Sequence, residues 1–90
     1  MAQVGFSKLT NEWVALSDII TVDSNTVYRI QNRGIDKVIA LESSSEPSDD
    51  VREGNEILPG KTGEYKKGTQ DLYLKAASFS PCEINITSEA

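Results

Sequence analysis

Four short runs of β-forming residues, each bounded by turn formers, constrain this chain more than anything else in it: Thr26–Gln31, Lys37–Leu41, Leu72–Ala76 and Cys82–Thr87. In the last run Cys82, Ile84 and Ile86 share one face while Glu83, Asn85 and Thr87 share the other. That period of two is the mark of a half-buried antiparallel strand. The same alternation sets Leu72, Leu74 and Ala76 against Asp71, Tyr73 and Lys75. Val38 to Leu41 is apolar at consecutive positions, which predicts a strand covered on both faces, central or at an interface.

The intervening residues read as weaker strands and punctuation. Trp13–Leu16 and Ile19–Val22, separated by Ser17 and Asp18, predict two short strands or one bent strand. A short helix over Asn11–Leu16 is the alternative. Asp23-Ser24-Asn25 is a turn, because these side chains bond to nearby backbone. Asn32-Arg33-Gly34 predicts a hairpin closing the run from residue 26, with Gly34 suited to positive φ. Ser43–Asn55 is a long loop of serines and acids with Pro47 and Gly54. Ile57-Leu58 resumes a strand. Leu58-Pro59-Gly60-Lys61 has the proline and glycine placement of a type II turn, and Glu64–Lys66 is a strand stopped by Gly68. Pro81 precedes the last strand, where no ladder donor is required. The sum is about seven short strands, which predicts an all-β chain and a small antiparallel β-sandwich, with a small barrel as the alternative. Residues 1–11 show no periodicity and read as an extended N-terminal arm; residues 12–90 read as a single β-sandwich domain.

With 90 residues the chain has room for one core and no deep substrate cavity. A core this small makes self-association a plausible source of added stability. The net charge is −5. A nucleic-acid partner calls for a basic patch to displace counterions, and an anionic membrane for the same sign; neither is expected. Cys82 is the only cysteine, so no intrachain disulfide forms. The first residues lack the basic-then-apolar order of a signal peptide, and no apolar run is long enough to span a bilayer. The expectation is a protein made and folded in a cytoplasm.

Catalytic inventory is sparse. There is no histidine to activate Cys82, and its phase with Ile84 and Ile86 makes it a small core residue. Carboxylates are plentiful, but no motif fixes the separation a hydrolytic pair requires. The chain is therefore read as not an enzyme. Glu42, Glu46, Asp49, Asp50, Glu53 and Glu56 surround the long loop, with Arg52 balancing them in part. Their spacing does not follow the alternating acid pattern of a calcium loop, so they read as a solvated surface, and neither metal nor cofactor is expected. Asn85-Ile86-Thr87 matches a glycosylation sequon but lies within a strand and reads as chance. Lys61, Lys66 and Lys67 around Tyr65 read as charges that discourage edge-to-edge pairing. Aromatics carry much of the energy of binding interfaces. Trp13 reads equally as a partner contact or as core, and Phe6 in the arm reads as a partner contact. Gly5, Phe6 and Leu9 of the arm, Trp13, and Asp49, Asp50 and Arg52 of the loop are the candidate contact residues.

The order of elements carries a resemblance. Tyr28-Arg-Ile-Gln-Asn-Arg-Gly34 leads into Val38–Leu41, and a Ser/Pro/Asp-rich loop runs on to Ile57-Leu-Pro-Gly60. Leu72–Ala76 and the alternating Ile84–Thr87 strand then close the chain. This order, over residues 26 to 88, resembles the small β-sandwich structural proteins of tailed bacteriophages, both head decoration (cementing) proteins and tail-associated proteins. The resemblance implies a non-enzymatic virion protein that docks on the capsid or tail and contacts neighbouring subunits, with major capsid protein or tail proteins as partners and repeated or homo-oligomeric copies. It brings no catalytic residues. An alternative is a carbohydrate- or other ligand-binding β-sandwich module in which Trp13, Tyr28, Tyr65 and Tyr73 stack on sugar rings.

Overall fold

The computed structural model describes residues 2–48, 50–51, 53–66, 68–77 and 81–89, with backbone only at residues 2, 3 and 89. Its strands are β1 (Ala2–Leu9), β2 (Val14–Ala15), β3 (Val27–Asn32), β4 (Val38–Ser43), β5 (Asn55–Ile57), β6 (Thr62–Lys66), β7 (Asp71–Ala76) and β8 (Cys82–Glu89). A 3₁₀ turn spans Leu16–Asp18. The strands form two four-stranded sheets, β1-β8-β3-β6 and β2-β7-β4-β5, and every pairing is antiparallel. The expected all-β sandwich is what the chain forms.

The core lies between the sheets. One contributes Leu9, Tyr28, Ile30, Tyr65, Cys82, Ile84 and Ile86, and the other contributes Val38, Ala40, Ile57, Leu72, Leu74 and Ala76. Buried and half-buried residues alternate along β3 and β8, as the period of two predicts. The expected loop after β4, the Asp23–Asn25 turn and the Leu58–Lys61 turn are also present. Asn25 N–H donates to the Asp23 carboxylate at 2.9 Å. Lys61 N–H donates to Leu58 carbonyl at 2.9 Å, and Gly60 takes φ 81°, the value a type II turn demands of its third residue.

Six expectations need correcting. The N-terminal arm is a strand: β1 pairs with β8 from Ala2↔Ser88 to Leu9↔Cys82, with a bulge between Gln3 and Gly5. Its pattern is inverted. Gly5 and Ser7 lie opposite the inward Ile86 and Ile84, while Phe6 lies opposite the outward Asn85, so the small residues face in and the aromatic faces out. Ile20 fills the space that Gly5 leaves, which is why no hydropathic alternation marks the strand.

The run from residue 26 does not close a hairpin. β3 and β4 lie in different sheets, so residues 33–37 form a crossover. Gly34 is not among the glycines of positive φ; it is small because a Cβ there would run into the Cys82 side chain. Trp13–Leu16 yields a strand of only two residues, and Ile19–Val22 yields none. Leu16 carbonyl accepts the N–H groups of both Ile19 and Ile20 at 3.0 Å, which coils the chain so that Ile20 plugs the core. The helix over Asn11–Leu16 is likewise replaced by the turn that begins at Leu16. Finally, β7 is buried on both faces, since Tyr73 and Lys75 are covered along with Leu72, Leu74 and Ala76. Trp13 lies against this outer face, and the long loop after β4 joins the cluster through Ser48 and Val51.

Candidate interaction surfaces

Two buried assemblies position the surface of this molecule. The first centres on Asn32 at the end of β3, which is fully buried. Its Nδ2 donates to the carbonyls of Asp36 at 2.7 Å and Ile57 at 2.8 Å. Its Oδ1 accepts Gly34 N–H at 2.8 Å and lies 3.1 Å from Cys82 Sγ. Its backbone N–H donates to Lys61 carbonyl at 2.9 Å, and its carbonyl accepts Gly60 N–H at 2.8 Å. Two carbonyls on one side and an amide N–H on the other fix which way the carboxamide points. The Cys82 thiol, also 3.2 Å from Asp36 carbonyl, shares its single proton between two acceptors. Burial pushes that thiol above its ordinary pKa, outweighing the opposing pull of the Asp36 and Gly34 backbone groups. Cys82 is thus the small core residue that its phase predicts.

This node ties the 33–37 crossover to the 57–61 turn and holds both rigid at one end of the sandwich. From these two loops project Ile35, 91% exposed, and Leu58, 51% exposed. Arg33 and Lys61 are exposed beside them. Lys37 and Glu56 form an ion pair at 2.9 Å near the same end, which raises the lysine pKa. The sequence reading missed Ile35 and Leu58. The available signal was an aliphatic residue set inside turn chemistry, Gly34-Ile35-Asp36 and Leu58-Pro59-Gly60, where a core side chain has no strand to carry it inward.

The second assembly lies on the outer face of the β2-β7-β4-β5 sheet. Trp13, Ile39 and Tyr73 form a separate cluster there, with Ala15, Leu41, Val51 and Ala77 against it. Trp13 Nε1–H donates to Ser48 carbonyl at 3.1 Å, and Val51 N–H donates to the same carbonyl at 3.0 Å. The loop is therefore a strap over this face. Lys75, fully buried, carries its Nζ 5.0 Å from the Trp13 ring centroid, within cation–π range.

The candidate contact residues separate accordingly. Phe6 is 51% exposed on β1, with Val4 beside it at 41%. Gly5 faces inward, and a Cβ on it would approach Ile20 to 2.5 Å. Leu9 is buried in the core and Trp13 is buried under the strap, so neither offers a surface. Asp50 is exposed in the strap. Asp49 and Arg52 lie outside the described residues. Among the described residues no cluster of three or more acids, cysteines or histidines is placed to hold a metal ion, and no helix is long and apolar enough to cross a membrane.

A crevice of about 220 Å³ opens between the edge strands β5 and β6, with Ile30, Ala40, Ile57 and Leu72 at its floor and Glu42, Lys61 and Glu64 at its rim. It is smaller than the roughly 300–1,000 Å³ of sites that enclose small molecules. Trp13, Tyr28, Tyr65 and Tyr73, the rings named for sugar stacking, are all buried. Only Tyr65 borders the crevice, and its hydroxyl donates to Gln70 carbonyl at 2.8 Å. No family model, no curated protein and no solved structure matches the chain.

Proposed function

We propose that the chain is a non-enzymatic structural protein of a tailed-phage particle that docks on the capsid, as a decoration or cementing protein, or on the tail, and touches more than one neighbouring subunit. The observation that carries this reading is the placement of the exposed apolar side chains. Val4 and Phe6 lie on the β1 edge, and Ile35 and Leu58 lie on the loop end held by Asn32. A small sandwich that exposes apolar side chains both on a sheet-edge strand and on its loops has contacts to offer more than one neighbour, which is what a cement between lattice subunits has to do. Repetition over a lattice multiplies modest contacts into firm attachment. The order of turns and strands over residues 26 to 88 supports the phage assignment by resemblance, and the fold alone does not set the function. In this reading the partners are major capsid protein or tail proteins, and the protein resides in the virion.

The test is quantitative mass spectrometry of purified particles from the phage that encodes the chain, with heads and tails separated. Copies in proportion to the major capsid protein make it a decoration protein. A ring's worth in the tail fraction makes it a tail component. Absence from both fractions rules the reading out.

A further inference from the structure

We infer that the outer edge of β1 pairs with β1 of a second copy of this chain, joining two β1-β8-β3-β6 sheets into one continuous eight-stranded sheet. An edge strand presents unpaired N–H and C=O groups, and folded proteins blunt such edges with charges, prolines, brevity or a covering segment. Three of the four edges here are blunted. β2 has two residues and β5 has three, the latter with Glu56 outward and Pro59 soon after. β6 carries Glu64 and Lys66, with Lys61 just before it. β1 is different: eight residues, no proline, no carboxylate, and a single charge at Lys8. Among the described residues no backbone hydrogen bond ties its outer edge to another segment. Phe6, the one described aromatic ring left exposed, stands on it.

The occupant follows from the same residues. The bulge at Gln3–Gly5 leaves Gly5–Leu9 as the regular stretch. Antiparallel self-pairing centred on Ser7 sets Phe6 opposite Lys8 of the second copy, and Lys8 opposite its Phe6. The lysine stem covers the ring and the ammonium sits at its face, a favourable cross-strand pair. The arrangement is two-fold symmetric and closes on itself, the commonest form of soluble oligomer. It also brings together the acid-free strands of two molecules that each carry a net charge of −5. The inference stands on the edge geometry alone and does not depend on the particle reading.

The test uses the full chain in solution. Analytical ultracentrifugation over a concentration series should show twice the chain mass of 9.9 kDa, and Phe6→Lys, at an exposed position, should return the single-chain mass with an unchanged melting temperature. Amide exchange separates the surfaces. In the dimer every amide from Gly5 to Leu9 should be protected, whereas in Phe6→Lys only the alternate amides bonded to β8 should be. A single-chain mass at all concentrations overturns the inference, as does a dimer in which only alternate β1 amides are protected. A single-chain wild type whose attachment to particles is still lost on Phe6→Lys also overturns it, and assigns the edge to a strand of another protein.

Discussion

Asn32 shows how much one side chain can organise. Its carboxamide and backbone bond to six separate residues on the crossover, the 57–61 turn and β8, and no apolar side chain could do the same. Removing it leaves the buried carbonyl of Ile57 and the N–H of Gly34 without their side-chain partner. Asn32→Ala is expected to cost about 2–4 kcal/mol, read from the urea midpoint. Its neighbour Cys82 sets a pH dependence. A buried thiol whose folded pKa lies above its ordinary 9.0 contributes stability that is intact below pH 9.0 and is lost as pH climbs through the folded value. Tyr65, raised above its ordinary 10.0 by burial and by Asp71 and Glu42, acts in the same direction at higher pH. Lys37, raised above 10.5 by its bond to Glu56, is likewise lost on the alkaline side. Stability should therefore fall from about pH 9 upward, and Cys82→Ala should flatten the first part of that fall relative to wild type. A profile unchanged by Cys82→Ala would contradict the assignment to the thiol. At this scale the sequence was legible for Cys82, whose phase with Ile84 and Ile86 puts it inside. It was mute for Asn32, because an Asn-x-Gly stretch reads as a turn whether or not its side chain is buried.

At the scale of elements, β1 carries the sharpest consequence. An arm could be cut off without harm, but β1 seals the β8 edge and contributes Leu9 to the core. Deleting residues 1–10 is expected to lose the cooperative thermal transition and expose the β8 edge to aggregation, measured by circular dichroism and light scattering. A truncated chain that melts like wild type would show that β1 adds nothing to the fold. The strap over Trp13 makes the complementary point. Outward residues of an antiparallel strand are ordinarily solvated, but Tyr73 packs with Trp13 and Ile39, Lys75 lies over the Trp13 ring, and the loop after β4 is tied to that ring. Strand alternation identifies two faces and cannot say that the second is covered, since that depends on a carbonyl 35 residues from Trp13. The crossover at residues 33–37 was hidden for a similar reason. Turn residues mark where a strand ends, but whether the next strand pairs with it or joins the other sheet is decided by what the core needs.

For the whole molecule, the apolar surface is divided between the β1 edge and the end bearing Ile35 and Leu58. Both aliphatic side chains project from loops already held by buried hydrogen bonds, so binding through them sacrifices little loop entropy. Ile35→Asp combined with Leu58→Asp should leave the melting temperature within about 1–2 °C, since neither side chain is in the core, and should weaken co-sedimentation with particles by at least tenfold. Undiminished co-sedimentation would remove this end from the docking surface.

By itself the sequence determined the all-β class, most strand positions, the inward face of β8 and the type II turn at Pro59-Gly60, because these follow from local alternation and backbone chemistry. It also determined that no histidine and only one cysteine are available. Only the tertiary structure decided that residues 2–9 are an edge strand, that β3 and β4 part into different sheets, and that Trp13 and Leu9 are interior while Phe6, Ile35 and Leu58 face outward. Those outcomes turn on which distant segments fill a space or cover a face: Ile20 under Gly5, Cys82 against Gly34, the strap over Trp13. Such pairings are long-range packing choices, and nothing in the neighbouring residues records them.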